Sequence, residues 1–262
     1  MKKFTKLTAF ALALVMALGL LAGCGSSNSD TNSDANTSGD DAAKTKLVVA
    51  TSPDFPPFES LEGGEVVGIE VDILSKIAEK MGMELDIQQM DFDSVIPGVQ
   101  AGKFDVGMSG ITVTDKRKEN VDFSSVYFMA AQAIVVADGS SITGKADLEG
   151  KKVSVQTGTT AEEYCMGNGY EVLAFTANND AAAALTAGKV DAWVVDNEVA
   201  LAMAPELGLT VLDEAMTSEP YAFAFQKGSE LVTPFNEALD ALLSDGTVEQ
   251  IFQQYGVTYI AP

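Results

Sequence analysis

The sequence contains no histidine and only two cysteines, Cys24 and Cys165, among 262 residues. Without imidazole there is no Ser-His-Asp or Cys-His nucleophile activation, no imidazole general base and no His-containing zinc site. Two thiols do not make a four-thiolate metal site. Basic residues are also scarce: 16 Lys and Arg stand against 38 Asp and Glu, a formal net charge of −22. That acidity opposes phosphate-backbone binding, which needs a basic patch to displace counterions. No apolar run reaches the roughly 20 residues that span a bilayer as a helix. What is present is a hydrophobic content of 47%, enough for a real core and too much for a disordered chain. The length suits one large domain or two small ones. These bounds leave a soluble binding protein, or an enzyme working with carboxylates alone.

The first residues read as a secretion signal. Met1 to Lys6 is a positively charged start, and Ala9 to Ala22 is an unbroken apolar and small run, shorter than a membrane span. It ends in Leu21-Ala22-Gly23-Cys24, which looks like a bacterial lipobox: residues 1–23 are expected to be removed and Cys24 to carry lipid. Loss of three lysines makes the mature balance 13 − 38 = −25. Residues 24–45 then supply the lipidated Cys24 and a tether, since Gly25 to Lys46 has no Leu, Ile, Val, Met or aromatic residue. A tether of about 20 residues has an r.m.s. span of roughly 25 Å. Membrane attachment is therefore expected through the lipid alone. Cys165 is left as the folded part's only thiol, so no intrachain disulfide is expected there, and without His to activate it Cys165 reads as a small packed residue.

A short internal echo organises the rest. Ala101-Gly102-Lys103-Phe104-Asp105 recurs as Ala187-Gly188-Lys189-Val190-Asp191. Each copy follows a helical segment (Ser94 to Gln100; Asp180 to Thr186), turns at glycine and enters an apolar strand, Phe104 to Ser109 or Val190 to Val195. Helix, glycine turn and buried strand make half of a βαβ unit, so two copies suggest two α/β lobes. Lys46 to Thr51, Lys152 to Gln156 and Ala222 to Phe225 read as further strands. Val71 to Met81 carries a 3.6-residue apolar stripe ended by Gly82, and Pro234 to Tyr255 contains a helix with Leu239, Leu242 and Leu243 on one face. Strands alternating with helices give mainly parallel sheets, whose ligand sites lie at the strands' carboxyl ends.

The stretch Gly68-Ile69-Glu70-Val71-Asp72-Ile73, followed by Ile77-Ala78 and Met81, resembles the signature of the polar amino-acid family of bacterial solute-binding proteins, the receptors of ABC importers. Pro57-Phe58-Glu59, Thr112 to Arg117, Val121 to Ser124, Gly150 to Val153, Gly158-Thr159-Thr160 and Asp191-Ala192 ahead of Asp196 extend the likeness, in order, over Lys46 to Val257. The resemblance implies an α/β fold of the type II periplasmic-binding-protein kind, two lobes joined by two crossover strands with the ligand cleft between them. Carried over, lobe 1 is 45–132 plus 224–262 and lobe 2 is 133–223, with crossovers near Gln132-Ala133-Ile134 and Ala222-Phe223-Ala224. It also implies a free L-amino acid as ligand, an ABC permease and its ATPase as partners, and a place on the outer face of the bacterial cytoplasmic membrane. No cofactor, metal or nucleic acid is expected.

A free amino acid is a zwitterion, so its receptor needs a fixed cation and a fixed anion. Arg117 suits the carboxylate, because its planar fork makes two parallel charge-assisted bonds, and the family places a carboxylate ligand there. Thr112 and the following helix start would add donors. Asp196 matches the family's acid for the α-ammonium, with Ser109 and Gly110 beside it. Thr159 and Thr160 open a helix in the second lobe and would reach the carboxylate on closure. Phe55 and Phe92 match the walls around the ligand side chain, and Gln156 a contact to its tip. Ser52 stands where receptors for basic amino acids often have an acid, which points to a neutral polar ligand, although Asp54 and Glu59 are near enough in sequence to supply charge. The competing reading is an enzyme on the same fold, such as a dehydratase using paired carboxylates with raised pKa. Zero histidine and no evident spare acid pair weigh against it. A sensor module of a larger protein is a third reading, disfavoured because the chain ends just after the folded body.

Overall fold

The structure, a computed structural model, describes residues 45–262. The secretion signal, Cys24 and the tether expected from the sequence lie outside the described residues. Two five-stranded sheets carry the fold. The first runs Glu84–Gln89, Lys46–Thr51, Val106–Gly107, Ala224–Gln226, Val121–Phe123, and the second Glu171–Phe175, Lys152–Gln156, Ala192–Asp196, Gln132–Ala137, Leu209–Val211. In each, the first three strands are parallel, the fourth runs antiparallel to them, and the fifth pairs antiparallel with the fourth. The two lobes thus share one plan, and the chain returns to the first sheet with Ala224–Gln226 after building the second.

The sequence echo has a physical cause. In both copies a glycine with positive φ, Gly102 at 69° or Gly188 at 67°, ends the helix, a left-handed position that a Cβ would strain. The lysine that follows donates its N–H back to the helix, to Gly98 or Ala184. Each aspartate then pins the neighbouring strand: Asp105 Oδ2 accepts the Val48 N–H and Asp191 Oδ2 the Lys152 N–H, both at 2.8 Å. The same five residues solve the same problem, docking a strand onto the sheet's central pair.

Helices pack against these sheets through apolar stripes. The helix Ile69–Met81 buries Ile69, Ile73, Leu74, Ile77 and Ala78 against Phe235, Leu239 and Leu242 of the helix Val232–Ser244. Burying each large aliphatic side chain stabilises the fold by about 1.5–3 kcal/mol. Between the sheets the chain crosses twice, in a two-stranded ribbon that pairs Phe128–Ala130 with Glu219–Tyr221. An aromatic cluster braces this ribbon: Phe58 meets Tyr221 edge-on at 5.2 Å and Phe128 stacks on Phe252 at 4.6 Å between ring centroids.

Several elements differ from their sequence expectation. The ribbon precedes both expected crossover points: Gln132 to Ile134 already belongs to the second sheet, and Ala224 to the first. The apolar run beginning at Phe104 pairs as a strand only over Val106–Gly107. The segment from Pro234 to Tyr255 is two helices, Val232–Ser244 and Thr247–Gln254, separated at Gly246 with φ 80°. Phe92–Gln100 and Asn178–Thr186 each begin two residues earlier than periodicity implies.

Candidate functional site

One cavity is lined by both lobes. Phe55, Phe92, Ser109, Gly110, Thr112 and Arg117 come from the first lobe, and Gln156, Thr159, Thr160, Ala161, Asn178, Val194, Val195 and Asp196 from the second. Every site residue expected from the sequence except Ser52 is on this wall. Its polar content is asymmetric in a useful way: one cation, Arg117, and one carboxylate, Asp196.

Arg117 is positioned by a tight local device. Thr114 caps the short helix Asp115–Lys118, its Oγ1 accepting the Arg117 N–H at 3.1 Å. This aims the side chain back along the chain, where Nη1 donates to the Thr112 carbonyl at 2.9 Å and the guanidinium lies over the Phe92 ring at 5.6 Å. Nη2 crosses to the other lobe and donates to the Gly158 carbonyl at 3.1 Å. Burial lowers the guanidinium pKa, opposed by the carboxylates of Glu163, Glu219 and Asp196, and an arginine stays charged throughout. Opposite it, Thr159 caps the helix Thr160–Gly167 by accepting the Glu162 N–H at 3.2 Å, and Glu162 reaches back to accept the Gly158 N–H at 2.7 Å. The first N–H groups of that helix, at Thr160 and Ala161, have no intrahelical acceptor and belong to cavity residues. Fork and helix start face one cavity from opposite lobes, both offering the N–H donors that anions favour.

Asp196 ends the central strand Ala192–Asp196 and is 6% exposed. Its Oδ1 accepts from Gln132 Nε2 and its Oδ2 from the Tyr221 hydroxyl. Burial, and then the charge of Glu219, raise its pKa to about 7, against the opposing pull of those two donors and of Arg117. Glu219 is itself buried, with Oε2 lacking any partner. Sequence reading misses Glu219 because a lone Glu beside a proline carries no motif.

A second acid pair lies behind the wall. Glu59 and Glu70 are both fully buried. Glu70 Oε2 accepts the Gly110 N–H at 2.9 Å and Oε1 accepts from the Tyr127 hydroxyl, while Glu59 Oε1 accepts from the Ser109 hydroxyl at 3.1 Å. Burial, and then the adjacent Glu70, push the Glu59 pKa well above the usual carboxylate range. So the signature acid of the helix Ile69–Met81 does not face the cavity; it holds Gly110, which does, while Glu59 holds Ser109. Gly110 is required here, with φ at 52° and Phe55 so close that a Cβ would fall 2.5 Å from the ring.

Ser52, expected in the site, stands outside the cavity. Its N–H donates to Ser109 Oγ at 3.2 Å and its hydroxyl to Asp54 Oδ1 at 3.0 Å, so it is spent on local structure. Asp54 instead reaches the second lobe: Oδ2 accepts the Asn178 N–H at 2.6 Å, and Gln156 Nε2 donates to the same oxygen at 3.2 Å. Together with Arg117 to Gly158 and the ion pair of Lys116 with Glu163, these bonds hold the lobes in a closed arrangement. The Lys116 pair is exposed and worth little, about 0–1 kcal/mol. Asn178 is a cavity residue that sequence reading misses, because an Asn-Asn pair ahead of an alanine run reads only as a helix start.

Residues 47–258 match the family described as bacterial extracellular solute-binding proteins, family 3. The arginine-binding extracellular protein ArtP of Bacillus subtilis is 34% identical over 243 residues, which cover 90% of this chain and 92% of that one. Among solved structures, an ancestral arginine-binding protein bound to glutamine aligns with a TM-score of 0.77 at 41% identity, over 81% of this chain and 98% of that one. The ancestral amino acid-binding protein AncCDT-1, a precursor of cyclohexadienyl dehydratase, aligns with a TM-score of 0.76 at 34% identity, over 80% and 95%. With nearly the whole described chain inside the family's match, and with the fold of its solved relatives, this protein belongs to the bacterial extracellular solute-binding proteins of family 3.

Proposed function

We propose that this chain is the substrate-binding lipoprotein of an ABC importer, capturing a free polar L-amino acid between its lobes and delivering it to the permease and its ATPase. The observation that carries the reading is a cavity lined from both lobes that holds one guanidinium and one buried carboxylate, a complement to a zwitterion. Arg117 and the start of the helix Thr160–Gly167 receive the α-carboxylate. Asp196, supported by Tyr221, Gln132 and the nearby Glu219, receives the α-ammonium with Ser109. Phe55 and Phe92 flank the ligand's aliphatic part. Ligand contacts from both sides favour the closed state over the open one. Cys24, lipidated after removal of residues 1–23, would keep the receptor at the outer face of the membrane.

Binding, rather than turnover, is supported by where the acids sit. Asp196 is the single carboxylate among the residues lining the cavity, while Glu59 and Glu70 are sealed behind the wall. A dehydratase working with paired carboxylates would have only one of its two acids on this wall. The test is a thermal-shift screen over the twenty amino acids. A ligand at 100 times its Kd is expected to add about 2.7 kcal/mol of stability, and one or a few polar amino acids should stand out. Absence of a shift with any of them would end the proposal.

A further inference from the structure

Asn178 is 1% exposed, lines the cavity, and has no hydrogen-bond partner for either Nδ2 or Oδ1. Buried amides are almost always satisfied, so one orphaned at both atoms on a cavity wall marks where a ligand supplies the partners. Its backbone N–H is already engaged by Asp54, which leaves the side chain as its contribution to the site. Gln156 shares this wall. Its Nε2 is occupied by Asp54 and by the Thr176 carbonyl at 3.2 Å, leaving Oε1 as its unengaged polar group.

We infer that Asn178 and Gln156 read the end of the ligand's side chain and select a carboxamide, the glutamine class, over a guanidinium or a carboxylate. This rests on the amino-acid reading above and deepens it. The pair offers one donor group, Asn178 Nδ2, and two acceptors, Asn178 Oδ1 and Gln156 Oε1. A carboxamide carries one acceptor oxygen and two N–H donors, the matching set. A guanidinium has donors only and would leave Asn178 Nδ2 unmatched. A side-chain carboxylate has acceptors only, and would face two oxygens with the Asp54 charge behind them. Asp54 makes no demand for a ligand cation, because the Gln156 amide, the Ser52 hydroxyl and the N–H that opens the helix Asn178–Thr186 already meet its carboxylate. Sites built to hydrogen-bond a polar group reject analogues that lack it.

Calorimetric titration of wild type, Asn178→Leu and Asn178→Asp with glutamine, arginine, glutamate and alanine tests the assignment, with melting temperatures of the ligand-free variants confirming that they fold. Wild type should bind glutamine at least about tenfold more tightly than arginine or glutamate. Asn178→Leu should lose about tenfold or more for glutamine, with alanine affected by less than about threefold. Asn178→Asp, which exchanges the donor for a negative charge, should move the preference towards arginine. Arginine bound as tightly as glutamine by wild type, or glutamine and alanine weakened alike by Asn178→Leu, overturns the carboxamide assignment while the amino-acid receptor stands. If wild type binds no amino acid, the receptor reading fails and this assignment goes with it.

Discussion

Arg117→Ala is expected to weaken binding of the amino acid by about a hundredfold. The guanidinium is the only cation on the cavity wall among the described residues. Truncating one partner of a hydrogen-bonded charge pair that the bound ligand buries costs about 2–5 kcal/mol, and 1.4 kcal/mol is a factor of about ten in Kd. The loss has two parts. One is the charge that meets the ligand carboxylate; the other is the bridge from Nη2 to the Gly158 carbonyl, which joins the lobes. Arg117→Lys separates them, since it keeps the charge and loses the planar fork; it should recover part of the affinity but not all. Because Arg117 is only half-buried, the ligand-free variant should melt close to wild type. Equal affinity in Arg117→Ala and wild type would remove the carboxylate site from the account.

The second large effect is on pH. Burial, and then the nearby Glu219, raise the Asp196 pKa to about 7, so near neutral pH part of the population carries a proton there before a ligand cation arrives. An incoming α-ammonium stabilises the ionised form, so its pKa falls in the complex. The empty receptor then binds more protons than the complex as pH drops below 7, and ligand must displace a proton to enter. Affinity is therefore full above about pH 8 and falls as pH decreases through 7, by roughly tenfold per pH unit once Asp196 is protonated. The ligand's own carboxylate and ammonium keep their charges over pH 5 to 8, so the slope reports the protein. Asp196→Asn should bind about a hundredfold more weakly at pH 8 and show a flatter profile. Titrations in two buffers of different ionisation enthalpy would count the released proton directly. A wild-type Kd constant from pH 8 to pH 5, or a slope retained in Asp196→Asn, would contradict this role.

What could be read from the sequence divides along physical lines. Elements whose signal is periodic and local are legible: the apolar stripe from Val71 to Met81, the strand Lys152–Gln156, and the glycine turns of the internal echo. The echo's aspartates, however, reveal their purpose only in three dimensions, as anchors for Val48 and Lys152. Arg117 and Asp196 are conspicuous because a zwitterion demands opposite charges and the family motif points to both. Asn178 is invisible by the same logic: its importance lies in having no partner, and a partner's absence is a property of packing, not of sequence. Ser52 shows the converse. Its position in the motif suggests the site, but a two-residue turn spends its hydroxyl on Asp54. The signature acid Glu70 likewise works one layer behind the wall, through Gly110 and Tyr127.

Equilibrium dialysis of the folded chain against a mixture of the twenty amino acids, followed by mass analysis of what is retained, tests the central claim most directly. One polar amino acid should be retained at one per chain and recovered chemically unchanged, and Arg117→Ala should retain little of it. Retention of none, or recovery of a converted product, would contradict a receptor that binds and closes.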